Sequence, residues 1–76
     1  MNKKQEKQAL NQRLVFWKSM TMAEANAFAK KCKTSGPYLR QIAYGHRKAS
    51  PEMCLRLERL SGHEWTKEAL RPDIYF

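Results

Sequence analysis

The chain has 76 residues, enough for one small core but too few for both an enclosed substrate cavity and the walls around it. A hydrophobic fraction of 42% supports such a core, and a formal charge of +8, from 15 Lys/Arg against 7 Asp/Glu, points to phosphate backbones as partners. No run of about 18 apolar residues exists to span a membrane, and no apolar stretch follows Lys3, Lys4 and Lys7 as in a signal peptide, so a cytoplasmic setting is expected.

The charge is unevenly placed. Residues 1–48 carry eleven Lys/Arg against Glu6 and Glu24, whereas residues 49–76 carry Arg56, Arg59, Lys67 and Arg71 against five acids. The first half is the expected polyanion-facing half, a surface that serves only solubility being the alternative. Cys32 and Cys54 form no CxxC pair, and His46 and His63 stand alone, so buried free thiols are expected, with no metal and no cofactor. Paired carboxylates and a nucleophile–base constellation are both missing, which argues against an enzyme.

In chain order, the first helix is expected over residues 5–18, with Leu10, Leu14 and Trp17 as its apolar stripe and Val15 and Phe16 widening it. Thr21-Met22-Ala23-Glu24 reads as a capping box that opens a second helix, whose inner face is Ala25, Phe28, Ala29 and Cys32. After a break at Lys33-Thr34, Ser35 caps a third helix with Pro37 in its first turn and Gly45 at its end. At about 100° per residue, Tyr38, Leu39 and Ile42 fall on one side of it and Gly36, Pro37, Arg40, Gln41 and Tyr44 on the other. A cationic loop, residues 45–49, leads to Ser50-Pro51-Glu52, the start of a fourth helix with Met53, Leu57 and Leu60 inward and Gly62 at its end. A last short turn, residues 66–70, stops at Arg71-Pro72. The expected fold is all-α: four to five helices in one compact helix-turn-helix domain over residues 1–76, with residues 1–5 flexible.

Two short helices joined by a tight turn cross steeply and need a small residue where they touch, a place Ala29 fills. Ala25 to Tyr44, with Phe28, Ala29, Cys32, Thr34, Leu39 and Ile42, resembles the phage Cro/CI-like helix-turn-helix repressors, and most closely the small Cro/YdaS-like prophage regulators. The resemblance continues through Ser50-Pro51-Glu52-Met53-Cys54, residues 57–62, and the more specific Leu70-Arg71-Pro72-Asp73-Ile74-Tyr75, about two thirds of the chain in all. Two departures stand out. Lys33 occupies a turn position where the family usually has glycine, and Thr21 lies early enough to imply a second helix about a turn longer.

The resemblance implies a lambda-repressor-like fold and a homodimer on a partly palindromic double-stranded operator, with half-sites about 34–36 Å apart. It implies a repressor role, with residues 35–44 in the major groove. Arg40 and Gln41 are the expected base contacts, since Arg matches guanine O6/N7 and Gln matches adenine N6/N7; Tyr44 would meet a thymine methyl or a phosphate. Ser35, Gly36 and Pro37 would let the helix start approach the backbone, and Asn26, Lys31, Lys33, His46, Arg47 and Lys48 are the remaining backbone contacts. A competing reading is an antitoxin or adaptor whose helical surface binds a toxin or other protein partner. RNA fits less well, for want of an aromatic platform or GXXG loop. Trp65 and Ile74-Tyr75-Phe76 form an apolar cluster with two destinations open to it: folding back over the first and fourth helices, or a dimer seam.

Overall fold

The computed structural model describes residues 3–75. It contains five α-helices and, among the described residues, no strand: α1 (Lys3–Ser19), α2 (Met22–Lys31), α3 (Gly36–Ala43), α4 (Pro51–Leu60) and α5 (Lys67–Leu70). The expected all-α fold is the fold observed. The Cα radius of gyration, 11.3 Å, matches the roughly 11 Å of a compact chain this long.

Local chemistry explains where each helix starts. Thr21 Oγ1 accepts from Glu24 N at 3.1 Å while Glu24 Oε1 accepts from Thr21 N at 2.9 Å, the reciprocal bonds of a capping box. Ser35 Oγ, Ser50 Oγ and Thr66 Oγ1 accept from Tyr38 N, Met53 N and Ala69 N at 3.3, 3.2 and 3.2 Å, capping α3, α4 and α5. Each cap satisfies an N–H that the first turn leaves without a partner.

Three helices end the same way. After α2, α3 and α4 the chain turns through a left-handed residue, Lys33 (φ 60°), Gly45 (φ 80°) and Gly62 (φ 66°) respectively, the last followed by a second, His63 (φ 68°). The next amide then reaches back to the last turn: Thr34 N to Ala29 O at 2.9 Å, His46 N to Gln41 O at 2.9 Å, His63 N to Glu58 O at 2.9 Å. These are Schellman closures, which normally favour glycine. Lys33 therefore accepts a left-handed turn position that ordinarily favours glycine, and keeps its side chain there.

The core gathers Ala29, Cys32, Leu39, Ile42, Ala43, Ala49, Cys54, Leu57, Trp65 and Leu70, all buried. Trp65 is fully buried, with its indole N–H donating to Arg13 O at 3.0 Å, so the first of the two destinations holds for this residue. Phe16, Phe28 and Trp65 meet edge to face, with centroids 5.2–6.2 Å apart, an arrangement that favours aromatic quadrupoles. Burial pushes the Cys32 thiol up and raises that of Cys54 to about 11. Tyr75 packs on the core, Ile74 is exposed, and Phe76 lies outside the described residues.

α1 departs from expectation in two ways. It is already helical at Lys3, earlier than the residue-5 start; of the expected flexible segment, residues 1 and 2 lie outside the described residues. Its inner face is also rotated. Ala9 is buried and Phe16 and Trp17 pack against the core, while Leu10 and Leu14 are half-buried and Val15 is exposed. The half-buried Arg13 shares the inner side and donates from Nη1 to Ala69 O, tying α1 to α5 at 2.6 Å. Its long stem packs where an apolar residue would otherwise be expected.

The tail is tied down by one arginine. Arg71 forks onto Asp73, Nε to Oδ1 at 3.0 Å and Nη2 to Oδ2 at 2.8 Å, and Nη1 donates to Ala49 O at 2.8 Å. This joins the residues after α5 to the loop between α3 and α4. The Arg71 hydrogen bonds hold the Asp73 carboxyl well below the usual carboxylate range.

Candidate nucleic-acid interface

α3 carries its apolar residues on one side only. Leu39, Ile42 and Ala43 are buried, whereas Pro37, Arg40 and Gln41 are exposed and Tyr44 is half-buried. At 100° per residue the buried trio faces the core, and Pro37, Gln41 and Tyr44 lie nearly opposite with Arg40 beside them. Tyr38, on the flank, packs against the core. The outer side is thus available to a ligand along the whole length of the helix.

The start of α3 is set closely against α2. A Cβ at Gly36 would stand 2.6 Å from Asn26 Oδ1, so the absence of a side chain permits this approach. Asn26, although exposed, lies over the first turn of α3, while Ser35 and Pro37 are exposed beside it.

Two arginines rest on tyrosine rings. Arg40 lies 5.0 Å from the Tyr44 ring centroid, and Arg47 lies 5.8 Å from that of Tyr38. A guanidinium held against an aromatic face loses fewer rotamers when it next binds an acceptor. Tyr44, half-buried and packed on the core, thereby acts as a plate for Arg40. Lys31, Lys33 and His46 are exposed, and Lys48 is exposed but leans on Asp73 at 3.5 Å.

These residues fall into three groups. Asn26, Gly36, Pro37, Arg40 and Tyr44 share an open groove of about 520 Å³ between α1, α2 and α3. Tyr44, Arg47 and Lys48 line a second of about 300 Å³, on the α1 side of the α3–α4 loop. Lys31, Lys33, Ser35, Gln41 and His46 line neither and stand on the surface around them. Sequence reasoning missed the far wall of the larger groove, Trp17, Lys18 and Met22, because that wall exists only once three helices are packed. Met22, at the first position of α2, continues the i, i+3, i+7 line of Ala25 and Ala29, yet it is 82% exposed at the groove.

Arginine and glutamine on an exposed helix can each present two polar atoms to a flat hydrogen-bonding edge, and the surrounding cations can hold phosphates without reading sequence. Among the described residues no helix is long and apolar enough to cross a membrane.

The chain is 37% identical over 60 residues to a prophage transcriptional regulatory protein of Escherichia coli (strain K12), an alignment spanning 79% of this chain and 91% of that protein. No protein-family model matches the chain, and no solved structure matches it significantly.

Proposed function

From the membership of this chain in the family of the Escherichia coli prophage transcriptional regulatory protein, we propose that it is a sequence-specific double-stranded DNA-binding regulator that reads an operator with α3. The observation that supports this most directly is the exposed side of α3, where Arg40 and Gln41 face outward on a scaffold of buried Leu39, Ile42 and Ala43. Arg40 and Gln41 contact base edges in the major groove, with Tyr44 beside them. Asn26, Lys31, Lys33, Ser35, Gly36, Pro37, His46, Arg47 and Lys48 hold the phosphates and fix the register. The chain works as one domain and binds as a homodimer on a partly palindromic site, repressing by covering a promoter. Its action is binding, with no chemical step.

The test is paired. An operator is first selected from a random duplex pool, and the affinities of Arg40→Ala and Gln41→Ala are then measured on that operator and on random duplex. Each substitution is expected to weaken operator binding by about 1–3 kcal/mol and to leave random-duplex binding nearly unchanged. Equal loss on both duplexes would remove the base-reading role. No affinity for duplex even at low salt would favour the protein-binding alternative.

A further inference from the structure

The exposed side of α4 carries a pattern that complements itself. Glu52, Leu55, Arg56 and Arg59 follow one another at i, i+3, i+4 and i+7, so they form one stripe along the helix. Cys54 and Leu57 are buried on the opposite side. Leu55, at the middle of the stripe, is 52% exposed. Arg56, half-buried, donates to Glu52 within the helix and to Cys32 O, each at 3.4 Å, and Arg59 has no ion-pair partner among the described residues. The four residues border a shallow depression of about 370 Å³.

We propose that this stripe is the seam between two copies of this chain. Two α4 helices placed antiparallel about a two-fold axis between Leu55 and Arg56 bring Glu52 of one copy to Arg59 of the other, twice by symmetry. The same axis sets each Leu55 against the partner's Leu55 and the apolar stem of its Arg56. Glu52 then sits between two cations, and Arg59 gains the acid it lacks.

Charge selects this occupant over others. Each copy carries +8, and two such molecules repel wherever their cationic halves meet. α4 belongs to residues 49–76, where four Lys/Arg meet five acids, and its stripe holds Glu52 against Arg56 and Arg59, so contact here avoids the most cationic segments of both copies. A polyanion, by contrast, is drawn to the other half. One helix pair covers less than the about 1,200 Å² of a standard interface, so free copies associate weakly and adjacent half-sites would complete the pairing.

This deepens the dimer reading above, and its test is made without DNA so that it stands or falls apart from duplex recognition. Sedimentation equilibrium of the free chain, up to about 1 mM, is expected to show reversible monomer–dimer exchange. Glu52→Arg and Arg59→Glu should each weaken it about tenfold or more, since each turns two attractions into two repulsions. The double variant E52R/R59E should recover wild-type association. Mixing the two single variants should yield a heterodimer, because both cross-contacts then pair opposite charges. Far-UV circular dichroism and melting establish that each variant is folded, and if one single variant is not, the double variant carries the comparison alone. A wild-type chain that stays monomeric over the whole range, or single substitutions without effect, would overturn the proposal. So would a double variant as weak as the singles, or a mixture that does not associate.

Discussion

Lys33 is the residue at which chemistry and conformation pull apart most clearly. Its φ of 60° puts a Cβ in the left-handed region, where a side chain costs about 1–2 kcal/mol relative to the ordinary helical basin. The equivalent place after α3 is held by Gly45, whose own left-handed backbone also faces Arg13 Nη2 at 3.2 Å from where a Cβ would stand. Lys33 thus gives up stability at a position where glycine is easily accommodated. Lys33→Gly is expected to raise stability by about 0.5–1 kcal/mol after the added freedom of the unfolded chain is counted, or several degrees in Tm. The same substitution should weaken duplex binding and lower its salt dependence by about one counterion, if Lys33 holds a phosphate as proposed. Melting and affinity measured on one variant should therefore move in opposite directions.

Among the elements, those with local instructions were legible and those shaped by distant partners were not. The starts of α2, α3, α4 and α5 follow from Thr21, Ser35, Ser50 and Thr66, each bonding an amide within three residues, so sequence alone places them. The outward display of Arg40 and Gln41 follows equally from the 100° period once Leu39 and Ile42 are assigned inward. The inner face of α1 is different. It turns toward Phe28 and Trp65, far along the chain, and its half-buried Arg13 serves Ala69 fifty-six residues away, which no local periodicity reveals. The larger groove escaped notice for the same reason.

The tail beyond α5 shows a third kind of legibility. Leu70-Arg71-Pro72-Asp73-Ile74-Tyr75 was recognisable by resemblance, but its physical content is the fork between Arg71 and Asp73 and the bond to Ala49 O. Folding lowers the Asp73 carboxyl below its unfolded value of about 3.9, so its contribution is complete above that pH and fades as pH falls through and beneath it. Asp73→Asn should cost about 1 kcal/mol at pH 7, a modest figure suited to a partly exposed pair. Melting curves of the two chains should then converge as the pH drops below about 4. A gap that stays constant down to acid pH would show that the fork contributes little.

At the scale of the whole molecule, the uneven charge divides the labour. The half with eleven Lys/Arg contains α1, α2, α3 and the following cationic loop, and the nearly balanced half contains α4, α5 and the pinned tail. Between them lies a shared core to which all five helices or their flanking residues contribute, with Trp65 fully buried in it. This arrangement keeps the proposed duplex-facing surface and the proposed seam on separate segments, so that each can be altered while the other is kept.

The two tryptophans occupy opposite environments. Trp65 is sealed from solvent, whereas Trp17 borders the groove it shares with Arg40 and Tyr44. Intrinsic fluorescence should therefore separate into two channels: a Trp65→Phe chain emits from the groove side alone and should change when duplex is titrated in, while a Trp17→Phe chain should stay constant until the protein melts. Under the proposed reading, the molecule carries its own occupancy gauge beside its own thermometer, and neither requires an attached dye.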